Sequence, residues 1–311
     1  MSSVAVTSRS FSKHPVLRSE ILKLYSNVKF NDEGLILSGD SLVKFLKGYE
    51  KAIIALEVID DKIISQLPNL KVISKYGVGL DMIDLNAMKR HGVKLGWTGG
   101  INKRSVSELV ISFAISLLHR VVFANSEVKS GKWYQVRGSQ LTDRTVGVIG
   151  CGNIGKDVIK LLQPFNCKII VYDIKRFPEF YEKYNVVPVT LNELLTTSDV
   201  VTLHLPLDNS TKYILNKKNL SLLKKDAVLI NLARGGLIEE IELKKMIIEK
   251  KLAGVALDVL EQEPPNDREL ISLENVLVTP HIGGSTEEAI LKMGMSAISG
   301  LTINKQADLY K

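Results

Sequence analysis

Residues 145–155 read Thr-Val-Gly-Val-Ile-Gly-Cys-Gly-Asn-Ile-Gly, and the pattern around them decides the fold. The apolar run Val146–Ile149 enters Gly150 directly, an amphipathic stretch follows over Ile154–Leu162, and a second apolar run, Lys168–Tyr172, ends at Asp173. Strand, glycine-rich turn, helix, strand and acid in that order are the parts of a unit that binds a dinucleotide. Gly150 permits the tight turn, Gly152 lets the backbone approach a pyrophosphate, and Gly155 lets helix and strand pack closely. The helix start at Asn153 and Ile154 offers free N–H groups and a partial positive charge to the phosphates. Asp173, roughly twenty residues on, can accept hydrogen bonds from ribose hydroxyls and repels a 2′-phosphate. NAD is therefore expected over NADP, although Lys175 and Arg176 can blunt that repulsion.

Further short apolar runs, Ala52–Leu56, Lys71–Ser74, Val200–Leu203 and Val228–Asn231, alternate with helical patterns such as Ser105–His119 and Glu239–Lys250. Continuous rather than alternating apolar strands indicate parallel sheets covered on both faces, so the fold class is doubly wound α/β. A long helix is expected over Ser105–Lys129, bridging two lobes, with a turn-rich stretch at Trp133–Asp143 and a boundary near residue 100.

The chain has 311 residues, 45% of them hydrophobic, which is enough for two cores. Its 41 basic and 34 acidic residues give a formal charge of +7, but pairs such as Lys217-Lys218 and Lys250-Lys251 are scattered among Leu, Ile and Glu. That distribution is a solvated surface rather than a nucleic-acid stripe, and a mild positive field suits a small anionic substrate. No apolar run approaches the roughly 20 residues of a membrane span, and the first residues lack the features of a signal peptide. Cys151 and Cys167 fit neither a disulfide framework nor a metal spacing, so a cytoplasmic protein without a metal is expected.

Three later segments place chemistry just past strands: Asn231–Gly236 with Arg234, Ala256–Pro265 with Asp258 and Glu263, and Val278–Ser285 with His281. In a doubly wound sheet those strand ends line the ligand crevice. Hydride delivery to a keto carbon builds negative charge on its oxygen and needs a proton donor and a cation. His281 can donate the proton. Arg234 can clamp a carboxylate with two parallel N–H bonds and polarise the carbonyl. Glu263 can hold the imidazole and favour its charged form. Singly, each also reads as a surface ion pair, a solvated charge or a loop histidine; the three in this order after a nucleotide turn read as a site.

With these residues in place, the chain resembles the D-isomer-specific 2-hydroxyacid dehydrogenase family from about Ile53 through Ser285, closest to its phosphoglycerate dehydrogenase branch. The resemblance implies NAD-dependent hydride transfer between a small 2-keto acid and its D-2-hydroxy acid, with Arg234, Glu263 and His281 as arginine, acid and histidine of catalysis. Residues 76–84 resemble the family's substrate loop, which would put Tyr76, Val78 and Gly79 at the substrate carboxylate, with Asn102 from the segment opening the interdomain helix. His204, Pro206, Leu232, Ala233, Asp258 and Gly283 fall on nucleotide-contacting positions, Asp258 near the nicotinamide amide. The implied architecture is a Rossmann nucleotide domain, 101–284, inserted into a flavodoxin-like substrate domain made of 1–100 and 285–311. A homodimer is implied too, formed through the Ser105–Lys129 region, where Leu109, Val110, Phe113, Leu117, Val121, Val122 and Phe123 exceed one buried stripe.

Two departures stand out. Gly99–Ile101 replaces the usual proline-containing turn, and Leu56 or Glu57 stands where the phosphoglycerate branch often has a phosphate-binding arginine. A carboxylate there repels a phosphate, while Lys75, Lys103 or Arg104 can supply charge nearby. Expected substrates are accordingly 3-phosphoglycerate or hydroxypyruvate and glyoxylate. The competing class is an NAD(H)-sensing binding protein of the corepressor type, which keeps the fold without metabolic turnover. A formate dehydrogenase is disfavoured because its histidine pairs with a glutamine, whereas the acid position here is Glu263.

Overall fold

The computed structural model describes Ser3–Tyr310 and divides into two compact units, Met1–Asn102 with Glu287–Lys311, and Lys103–Thr286. In the first unit five short parallel strands, β1 (Val4–Val6), β2 (Val28–Phe30), β3 (Lys51–Ile54), β4 (Val72–Lys75) and β5 (Lys94–Gly96), run in the spatial order β5-β4-β3-β1-β2. That is the flavodoxin-like order, with its reversal between β1 and β3. Lys305–Gln306 adds an antiparallel edge strand beside β5. The last long helix, Glu287–Gly300, lies on this sheet because small residues let it come close. A Cβ at Gly96 would stand 2.3 Å from the Gly300 carbonyl oxygen, and Ser74 Oγ donates to the Ala297 carbonyl at 2.6 Å. This helix therefore belongs to the core of the first unit, with Ala297 and Ile298 packed among Val4, Phe11 and Leu17.

In the second unit seven parallel strands, β6 (Thr145–Ile149), β7 (Lys168–Tyr172), β8 (Val186–Pro188), β9 (Val200–Leu203), β10 (Val228–Asn231), β11 (Gly254–Leu257) and β12 (Val276–Val278), lie in the order β12-β11-β10-β9-β6-β7-β8. The order reverses between β6 and β9, the point at which such a sheet opens a crevice at its carboxyl edge. β9, β10 and β11 are buried along their whole length, and β6 is buried except at Thr145, because helices cover both faces. Each fully buried Val, Leu or Ile side chain there contributes about 1.5–3 kcal/mol.

One expected element is different. Ser105–Lys129 is two helices, Lys103–Leu118 and Val121–Lys129, bent by 62°. Arg120 turns the chain with a left-handed φ of 55°, and the Leu118 carbonyl takes the Ser139 N–H at 2.8 Å, so the loop after the second helix caps the first. Gly138 makes that approach possible, since a Cβ there would sit 2.7 Å from His119 Cα. Apolar period alone does not reveal a break imposed by a loop from further along the chain.

Candidate active site

The glycine turn follows β6. Gly150 has φ +99°, and a Cβ on it would stand 2.7 Å from the His204 carbonyl oxygen, so the turn lies against the chain leaving β9. Gly155 would drive a Cβ to 2.0 Å from the Gly150 carbonyl. Gly152, by contrast, has open space where its Cβ would be, and it starts helix Asn153–Leu162 without any side-chain cap. The first-turn N–H groups of that helix thus face an open side, as a pyrophosphate requires. Asn153 is exposed and Ile154 half-buried beside it.

Asp173 leaves β7 with Oδ2 accepting from Cys151 N–H at 2.6 Å and Oδ1 from Lys175 N–H at 2.7 Å. A carboxylate offers about four acceptor positions, so two remain for a pair of ribose hydroxyls. Open glycine, uncapped helix and partly used carboxylate together fit a dinucleotide such as NAD. His204 follows β9 with its Nε2 3.0 Å from Thr202 Oγ1, and its Nδ1 is buried without a partner among the described residues. Burial pushes this imidazole down to about 3, so the ring is neutral. Pro206 beyond it is exposed. Cys151, inside the turn, is buried and its thiol is pushed up to about 11 by burial, which keeps it protonated and inert.

The catalytic candidates converge in the same unit. Asn231, ending β10, folds the next residues into a tight turn: its Oδ1 accepts from Ala233 N–H at 3.0 Å and its Nδ2 donates to the Arg234 carbonyl at 2.8 Å. Leu232 and Ala233 are buried and Arg234 is half-buried. Gly235 is pressed onto the segment after β11, where a Cβ would stand 2.0 Å from the Leu260 carbonyl carbon. Leu260 N–H in turn donates to Glu263 Oε1 at 3.1 Å. The other oxygen, Glu263 Oε2, meets His281 Nδ1 at 2.8 Å, with both side chains part-exposed. With Nδ1 engaged, Nε2 is the nitrogen left to meet a reacting oxygen.

Asp258, the residue expected beside the nicotinamide amide, lies just past β11. It is 2% exposed; Oδ1 accepts from Thr279 Oγ1 at 2.5 Å and Ile282 N–H at 2.7 Å, Oδ2 accepts from Gly283 N–H at 2.7 Å, and its carbonyl takes His281 N–H at 2.9 Å. The residue clamps the turn that holds His281 at φ 54°. Gly283 is part of this clamp, a Cβ there reaching 3.0 Å from Asp258 Oδ2. Thr279 was missing from the sequence reading, because a hydrogen bond between segments about twenty residues apart leaves no local pattern.

The remaining candidates belong to the first unit. Tyr76, expected at the substrate, is a core residue: it is 8% exposed, stacks edge-on against Phe11 at 5.5 Å, and burial raises its phenol. Val78 and Gly79 are half-buried, and Trp97 Nε1 donates to the Val78 carbonyl at 2.9 Å, which fixes the loop from its carbonyl side. Trp97 is a positioning residue that the sequence reading did not single out. Asn102 carries a buried Oδ1 with no partner among the described residues.

Residues 111–283 match the profile described as D-isomer specific 2-hydroxyacid dehydrogenase, NAD binding domain. The chain belongs to the D-isomer-specific 2-hydroxyacid dehydrogenase family. It is 38% identical over 269 residues to a hydroxypyruvate reductase of Thermotoga maritima, across 84% of this chain and 87% of the relative. A D-3-phosphoglycerate dehydrogenase of Methanocaldococcus jannaschii is 36% identical over 88% of this chain, which spans only 53% of that relative. Among solved structures, the D-lactate dehydrogenase of Aquifex aeolicus with NAD and lactic acid superimposes with a TM-score of 0.85 at 26% identity, over 96% of this chain and 93% of the other. This family member is an NAD-dependent oxidoreductase that acts on 2-hydroxy acids.

Proposed function

We propose that the chain reduces a small polar 2-keto acid to its D-2-hydroxy acid, with His281 as proton donor, Glu263 as its orienting acid and Arg234 as the carboxylate clamp. NADH, when bound, supplies the hydride. The observation that carries the reading is the 2.8 Å contact between His281 Nδ1 and Glu263 Oε2. The carboxylate fixes the ring orientation through Nδ1, so Nε2 is the nitrogen that gives a proton to the keto oxygen. As that oxygen takes the proton, Arg234 neutralises the adjacent charge and keeps the carboxylate from rotating. The Val78 and Gly79 amides are the further carboxylate donors in this reading, and Asn102 a polar contact to the substrate. The nucleotide is held by Gly150, Gly152, Asn153, Ile154, Gly155 and Asp173, by the His204, Pro206, Leu232, Ala233 and Gly283 backbone near it, and by Asp258 near the nicotinamide amide.

NADH absorbance with a panel of 2-keto acids tests the reading. Steady oxidation with hydroxypyruvate or glyoxylate is expected. A protein that binds NADH yet turns over no keto acid would instead be a nucleotide sensor. The buried thiol of Cys151 and the raised thiol of Cys167 suit a reducing compartment, and the cytoplasm is the proposed one. A second copy is the proposed partner. Helix Val121–Lys129 has no buried residue, and Val121, Val122, Val128, Trp133 and Tyr134 are all exposed along it and the segment that follows.

A further inference from the structure

The departure at Gly99 has its cause in Trp97. A Cβ on Gly99 would stand 2.9 Å from Trp97 Cη2 and 3.3 Å from its Cζ2, so a side chain there would push the indole aside. The indole is not free to move, because it is held at two other points. Its Nε1 donates to the Val78 carbonyl at 2.9 Å, and Tyr310 meets it edge-on, with ring centres 5.5 Å apart and planes at 84°. Trp97 directly follows β5, and Val78 lies in the loop that leaves β4, the parallel neighbour of β5. One side chain thus reaches from a strand end to the loop expected to hold the substrate carboxylate.

Tyr310 is brought there by a segment from far along the chain. Lys305 and Gln306 pair antiparallel with Leu95 and Lys94 of β5, and the turn Ala307–Tyr310 follows. Ala307 is fully buried, and Asp308 pairs with Lys89 at 2.7 Å. A partly exposed ion pair adds little, so the strand pairing, the buried alanine and the ring contact carry the attachment. Trp97 and Tyr310 both pack against the core that contains Met88, Leu95 and Ala307.

The consequence for the loop is geometric. In a trans peptide the carbonyl and the N–H that follows it point to opposite sides. A donor fixed on the Val78 carbonyl therefore turns the Gly79 N–H away from the indole. Neither the Val78 nor the Gly79 N–H donates to another of the described residues.

We propose that Lys305–Tyr310 is a strap that acts through Trp97 to aim the Gly79 N–H at the substrate carboxylate, with Trp97 and Tyr310 as positioning residues. This rests on the reading above that the Val78 and Gly79 amides bind that carboxylate.

The chain has two tryptophans, so its indole N–H signals are readily assigned in ¹⁵N spectra. Trp133, 89% exposed, should exchange rapidly with solvent, and Trp97 slowly. Tyr310→Leu should speed exchange of the Trp97 indole at least about fivefold. Trp97→Phe keeps a ring facing Tyr310 and loses the donor. Its KM for hydroxypyruvate should rise about fivefold to tenfold, as for one lost hydrogen bond, with kcat within about twofold and NADH affinity unchanged. The double variant should match Trp97→Phe alone, because Tyr310 acts through the indole. A purely structural role would instead lower Tm and leave KM where it was. An unmoved KM in Trp97→Phe, indole exchange indifferent to Tyr310→Leu, or additive effects in the double variant would each overturn the proposal. Calorimetry with D-glycerate on the NADH-loaded protein, where no reaction can occur, keeps the two readings apart. If Trp97→Phe weakens that binding about fivefold to tenfold while the wild type oxidises no NADH with any keto acid, the strap stands and the assigned reduction falls. Equal D-glycerate binding by both proteins, or none by the wild type, would overturn the strap.

Discussion

At the residue scale the site works by occupying polar atoms in advance. Glu263 spends one oxygen on Leu260 N–H and the other on His281, so neither the acid nor the ring has a second orientation of similar energy. Arg234 depends on shape as well as charge. Arg234→Lys keeps the charge but replaces a planar fork by a point donor, and kcat/KM for the keto acid should fall on the order of a hundredfold. Unchanged steady-state kinetics in that variant would remove the clamp. His204 yields a stability prediction with a definite sign. Its folded value of about 3 lies below the ordinary 6.5, so the unfolded chain binds the proton more readily. The stability it contributes is complete above pH 6.5 and is lost as pH falls from 6.5 towards 3. The slope is at most about 1.4 kcal/mol per pH unit. His204→Gln should flatten that limb in urea titrations at successive pH values; an identical limb in both proteins would show that the acid loss originates elsewhere.

At the scale of elements, the glycine turn was legible because every part of it is local: β6, Gly150, the helix start at Asn153 and β7 follow one another in about thirty residues. Arg234, Glu263 and His281 were legible for a related reason, each falling past the end of a strand. Four of the three-residue strands, β1, β2, β5 and β8, were not, since so few residues show no period. The bend at Arg120 and the burial of Tyr76 depend on partners far along the chain, Ser139 in one case and Phe11 in the other. The grip of Asp258 on the His281 turn was hidden for the same reason, and it makes that residue a support of the histidine. Asp173 follows β7 while holding the glycine turn through Cys151 N–H, so it links cofactor choice to turn geometry. Asp173→Ala should weaken NADH binding and raise the relative use of NADPH, with Lys175 and Arg176 released to meet a 2′-phosphate. An unchanged NADH to NADPH ratio of kcat/KM would place the ribose elsewhere.

At the scale of the whole molecule, each unit has its own parallel sheet and its own cores, and the chemistry is concentrated in the unit of Lys103–Thr286. The same unit carries the apolar helix Val121–Lys129, with Trp133 89% exposed after it, a surface that a second copy would cover. Light scattering at micromolar concentration should give the mass of two chains, and a one-chain mass would refute the dimer. The central claim is that His281, held by Glu263, donates the proton in an NADH-dependent reduction, and one comparison tests it most directly. His281→Ala and the wild type are assayed side by side for NADH binding by fluorescence and for turnover of the best keto acid. The account predicts nearly unchanged NADH affinity with a loss of about 10²–10⁴ in kcat. Near-normal kcat in His281→Ala would contradict it.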